Sequence, residues 1–89
     1  MTTAVDVRVT GRVQGVSFRM ATQQEAAQLG VAGWVSNEPD GSVAGHFEGP
    51  QEAVDALVAW CGEGPAYASV DGVAVHPSAV GGHTAFEVR

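Results

Sequence analysis

The order of periodic segments predicts an α+β domain, with an antiparallel sheet carrying two helices on one face. Three observations carry this: short alternating apolar runs, mostly valine, recur five times; two proline-free, helix-forming stretches interrupt them; and glycine- or proline-rich turns separate the pieces. Val5, Val7 and Val9 alternate with Asp6 and Arg8, the period-two pattern of a half-buried strand, and Gly11 breaks it. From Phe18 to Leu29 there is no proline or glycine, and Ala, Gln, Glu and Met favour helix. Phe18, Ala21, Thr22, Glu25, Ala26 and Leu29 fall at helical spacing, and Gly30 stands where a C-cap glycine ends such a helix. Trp34 and Val35 begin a second strand. Pro39-Asp40-Gly41 forms a turn, because proline presets φ and glycine accepts positive φ. Val43, Gly45 and Phe47 alternate beyond it, giving a hairpin with its loop at 37–42.

Gly49-Pro50 opens a second helix, with proline in the tolerated first turn and Glu52 and Asp55 near its positive end. Val54, Leu57, Val58 and Cys61 supply its buried stripe, and Gly62, Gly64 and Pro65 stop it. Val70, Val73 and Val75 form a fourth strand bulged at Gly72, residues 77–83 form a loop, and Phe86 and Val88 form a short terminal strand. The resulting β-α-β-β-α-β order with a β tail is the ferredoxin-like split βαβ pattern. The 89 residues suffice for one core, so residues 1–89 are read as a single domain.

Composition narrows the function. Ten acids face four arginines and no lysine, a formal net charge of −6. Phosphate-backbone binding needs a basic patch, so nucleic acid is excluded as a partner, as is an anionic membrane surface. One cysteine makes no internal disulfide. His46, His76 and His83 are far apart and share no ligand spacing, so no metal site and no cofactor is expected. Cys61 reads as a small buried hydrophobe, and Trp34 and Trp60 as core or rim packing. No apolar run nears 18 residues and no charged-then-apolar leader is present. The expectation is a cytoplasmic monomer.

The chemistry-bearing segment is Gly11-Arg12-Val13-Gln14-Gly15-Val16-Ser17-Phe18-Arg19, which joins the first strand to the first helix. Glycine lets backbone amides converge, and the first helical turn leaves N–H groups unsatisfied at the positive end of the dipole. Arg19 lies in that turn, and its planar fork suits two oxygens of a phosphate or carboxylate. A Gly-x-x-x-Gly spacing is common in strand-to-helix turns, and the Lys-Ser/Thr ending of a P-loop is missing. The residues alone therefore leave two readings of Arg19 open, an anion clamp and an exposed helix arginine.

The sequence resembles the acylphosphatase family. The likeness runs through Val9-Thr10-Gly11-Arg12-Val13-Gln14-Gly15-Val16-Ser17-Phe18-Arg19, then Ala27 to Asn37, Asp40-Gly41-Ser42-Val43, Gly64-Pro65, Ala68 to Val73, and the final Phe86-Glu87-Val88-Arg89. Ser36 departs from it, where many members carry arginine. The resemblance implies the ferredoxin-like fold and hydrolysis of a small-molecule acyl phosphate to a carboxylate and inorganic phosphate, without a metal. It implies a phosphate held by the backbone of Gln14, Gly15, Val16, Ser17, Phe18 and Arg19, with Arg19 as clamp and Asn37 orienting the attacking water. For Asn37 the residues also allow a turn-forming role ahead of Pro39. Arg12 reads as an exposed loop charge, and Arg89 as paired with a nearby acid. The alternative function is a non-catalytic anion-binding or regulatory domain of the same fold. A metallochaperone would need a Cys-x-x-Cys in the first loop, which has no cysteine.

Overall fold

The alternating valines at the start of the chain form β1 (Thr2–Arg12), whose Val7 and Val9 are buried while Arg8 between them is exposed. The computed structural model describes residues 1–89. After β1 come α1 (Phe18–Leu29), β2 (Ala32–Asn37), β3 (Val43–Pro50), α2 (Gln51–Cys61), β4 (Ser69–Pro77) and β5 (Phe86–Val88). The sheet order is β4-β1-β3-β2-β5. The first four strands pair antiparallel, with Val9 opposite Val43 and Asn37 opposite Val43 on either side of β3.

Both helices lie on one face, α1 over β2 and β5, α2 over β1 and β3. Phe18, Thr22 and Ala26 of α1 and Val54, Leu57 and Cys61 of α2 are buried, four- and three-residue spacings that place each set on one stripe. They close one core with Val7, Val9, Val35, Val43 and Phe47. Burial of a side chain such as Leu57 contributes about 1.5–3 kcal/mol. Burial also pushes the Cys61 thiol up to about 12, far from the range of a nucleophilic thiolate. Gly30 caps α1 in the left-handed conformation, as its position in the sequence predicts.

Three details differ from the sequence reading. β2 begins at Ala32, two residues before Trp34. Gly33 belongs to it because the backbone of β3 passes so close that a Cβ there would meet the His46 carbonyl oxygen at 1.7 Å. The irregularity in β4 is at Asp71, which has no partner on β1, since Thr10 pairs with Gly72 and Gly11 with Val70. The expectation of a wholly antiparallel sheet is corrected: β5 runs parallel to β2, with Val35 opposite Val88. β4 and β5 occupy opposite edges. The connection leaves the foot of β4, crosses the sheet at that same end, and so delivers β5 pointing the same way as β2.

Candidate active site

The C-terminal ends of β1, β2 and β5 and the N-terminus of α1 share one end of the molecule. Between β1 and α1 the chain turns through Gln14–Ser17 with Gly15 at φ +74°, and open space lies where a Cβ of Gly15 would stand. Ser17 is the N-cap of α1, yet it adopts φ 62°, ψ 25°, and its hydroxyl makes no capping bond. A left-handed non-glycine residue costs about 1–2 kcal/mol. Here it leaves the helix terminus uncapped. The first helical hydrogen bond is Ala21 N–H to Ser17 O at 3.0 Å. None of the N–H groups of residues 14–20 meets an acceptor within the chain. Seven consecutive donors therefore stand at the positive end of α1.

The side chains divide between building this loop and facing out of it. Phe18 is 2% exposed and anchors the core, and Val16 packs against the same cluster, so each offers the site its backbone N–H alone. The Gln14 amide donates both hydrogens, to Glu38 O at 2.8 Å and Ser42 O at 2.9 Å. It fastens the loop to the turn that follows Asn37. Arg19, half-buried in the first turn of α1, donates through NH1 to the Arg89 main-chain oxygen at 2.6 Å. Arg89 N–H in turn binds Val35 O at 2.8 Å, two residues before Asn37. Arg19 and Asn37 thus lie at the same end of the sheet. Asn37 is exposed, and its side-chain amide has no partner in the chain.

The turn-forming role that the sequence allowed for Asn37 belongs instead to Asp40. Its carboxylate accepts from the Ser42 hydroxyl at 2.6 Å and the Ser42 N–H at 2.9 Å. Those two bonds, the hydroxyl's first, hold the Asp40 carboxyl below its usual range. Arg8 reinforces the turn from β1, donating to Ser42 Oγ at 2.8 Å and approaching Asp40 at 3.3 Å. Arg8, and the side-chain role of Gln14 beside the backbone role the resemblance gave it, were missed by sequence reasoning, and no local signal marks them, since their partners lie 24 to 34 residues away.

Of the four arginines, Arg8 pairs with Asp40 and Glu38, and Arg89 with Glu87 at 3.3 Å, as its position predicted. Arg89 also covers the Trp34 ring at 4.8 Å. Arg12 and Arg19 pair with no acidic side chain, and both lie at the loop. A separate groove of about 570 Å³ between α1 and β5 contains no charged side chain. It has nothing to favour an anion.

The model of the acylphosphatase family matches residues 5–88. The chain belongs to the acylphosphatase family. An acylphosphatase of Nocardioides sp. is 57% identical over 89 residues, covering 100% of this chain and 90% of that protein. The crystal structure of acylphosphatase from Bacillus subtilis matches with a TM-score of 0.94 at 37% identity, over 100% of this chain and 99% of that one. An acylphosphatase structure from Coxiella burnetii gives a TM-score of 0.96 at 35% identity, over 99% and 93% of the two chains. The enzyme's reaction is hydrolysis of acyl phosphates, and its substrate is a small molecule. No helix is long and apolar enough to cross a membrane.

Proposed function

We propose that the acyl phosphate's phosphoryl group sits in the N–H groups of residues 14–19, clamped by Arg19, while Asn37 orients the attacking water. The observation that carries this reading is the run of unpartnered amides, with Arg19, which pairs with no acidic side chain, in the same helical turn. Water adds to phosphorus, the bond from phosphorus to the acyl oxygen breaks, and the carboxylate departs with that electron pair. Both water protons remain on the inorganic phosphate. A carboxylate is a good leaving group, so the reaction asks the protein for positioning and for charge stabilisation at the equatorial oxygens. Fixed amides and a guanidinium supply that stabilisation, which is why no metal is required of the site. The neutral amide of Asn37 holds water without repelling an incoming anion.

Benzoyl phosphate hydrolysis in EDTA tests these roles. Arg19→Ala is expected to lower kcat/KM by about 10³-fold or more, mainly through lost substrate binding. Asn37→Ala is expected to lower kcat by about 10²-fold with little change in KM. Near-normal hydrolysis by either variant would overturn the assignment. The same reading takes residues 1–89 as one catalytic unit acting as a monomer in the cytoplasm. Its support is that the exposed large apolar side chains (Met20, Tyr67, Val75, Val80 and Val88 among them) are spread over different elements, and that the buried free thiol of Cys61 suits a reducing compartment.

A further inference from the structure

At the end of the sheet opposite the loop, the connection from β4 to β5 crosses beneath β1, β3 and β2. It is tied at each strand in turn: Ser78 N–H to Ala4 O, three amides to the Glu48 carboxylate, and Gly33 N–H to Ala85 O. Glu48 is 3% exposed and receives Gly81 N–H at 2.6 Å, Gly82 N–H at 3.1 Å and His83 N–H at 3.2 Å. His46, 7% exposed, meets Glu48 Oε2 through Nε2 at 2.6 Å and Asp6 through Nδ1 at 2.7 Å. The crossing chain then brings His83 over the same carboxylate, with Nε2 3.9 Å from Oε2 and its ring 5.2 Å from that of His46. The two histidines, 37 residues apart in sequence, lie beside one carboxylate oxygen, hydrogen-bonded by His46 alone, a juxtaposition their spacing hid.

We propose that His46, Glu48 and His83 form a binding site for Zn²⁺. One ligand atom from each lies within 4.8 Å of the others. Two imidazoles and one carboxylate suit a borderline divalent cation and disfavour Ca²⁺ or Mg²⁺, which take oxygen ligands. Ligands about 2.0–2.1 Å from a tetrahedral Zn²⁺ stand about 3.3 Å apart. The present separations bracket that value, so capture requires shifts on the order of 1 Å in two side chains and the connecting segment. Asp6 on Nδ1 fixes the His46 ring so that Nε2 points at the site, the carboxylate-histidine arrangement that supports metal ligands. The cation replaces the proton between His46 Nε2 and Glu48 Oε2, which leaves to solvent. A cavity of about 370 Å³ bordered by Glu48, Gly82, His83 and Thr84 gives an entry path and room for a water as fourth ligand. The site is independent of the phosphate loop, and a bound ion would staple the crossing segment to β3.

Competition for Zn²⁺ against a chromophoric chelator tests the proposal. The wild-type protein should bind one equivalent with a dissociation constant in the micromolar range or tighter. His76→Ala should bind equally well, and His83→Ala should bind at least 30-fold more weakly while keeping its circular dichroism. In the wild-type protein, Co²⁺ should broaden the imidazole proton resonances of His46 and His83 and spare those of His76. Absence of binding at 100 µM Zn²⁺, undiminished binding by folded His83→Ala, or Co²⁺ broadening centred on His76 would each overturn the site. Should His83→Ala fail to fold, the Co²⁺ broadening pattern decides.

Discussion

Gln14 illustrates how one side chain sets the distance between two halves of a site. Its amide spans the 14–17 loop and the 38–42 turn, so Asn37 stands between two anchored segments. Gln14→Ala removes two hydrogen bonds from carbonyls that keep one backbone donor each, Gly41 N–H on Glu38 O and Glu38 N–H on Ser42 O, a loss of about 1–3 kcal/mol at about 0.5–1.5 per bond that urea unfolding would measure. The same variant should lower kcat more than it raises KM, because the backbone amides survive while the Asn37 segment loosens. Unchanged kcat with the full stability loss would confine Gln14 to folding. At this scale the sequence was informative where function is local. Gly15, the uncapped helix start and Arg19 fall within five residues, so glycine's permissiveness and the helix dipole point there without tertiary knowledge. It was silent where partners are distant, as for Arg8 on Ser42 and for His46 and His83 on Glu48.

Among the elements, the two helices were legible nearly to the residue, because proline, glycine and the apolar stripe all agree on their limits. The direction of β5 was not, because it depends on the path of a connection with no periodicity of its own. That path is held chiefly by Glu48, and the charge on Glu48 is therefore a stability device. Burial alone would raise its carboxyl, but the bond from His46 and the amides of Gly81 and His83 outweigh burial and hold it at about 2. For His46, burial works against the charged form, and the bonds to Asp6 and Glu48 overcome it and raise the imidazole above 6.5. A lowered carboxyl stabilises the fold above its unfolded value near 4.5 and loses that effect as pH falls toward 2. A raised histidine stabilises below 6.5 and loses its contribution as pH climbs through the folded value. In EDTA, unfolding free energy from urea titrations should accordingly be highest between about pH 5 and 6.5 and fall on both sides. Glu48→Gln should flatten the acid limb, and an acid limb unchanged by that substitution would show that other carboxylates govern it.

Over the whole molecule, a net charge of −6 and a site for an anion are reconciled by distribution. The acids are dispersed or engaged, and the two arginines that pair with no acidic side chain flank a helix N-terminus. A small anion responds to that local potential, whereas a polyanion would meet the acidic remainder. The exposed large apolar side chains are scattered over different elements, and the proposed monomer predicts a single species of 9.1 kDa in sedimentation equilibrium; a stable dimer would refute it. The placement of the phosphate is tested most directly by following backbone amide resonances of the ¹⁵N-labelled protein during titration with inorganic phosphate. Shifts should concentrate on residues 14–19 and saturate with one common dissociation constant, and Arg19→Ala should weaken that binding at least tenfold. Saturable shifts centred on the α1–β5 groove, or a loop that does not respond at millimolar phosphate, would contradict it.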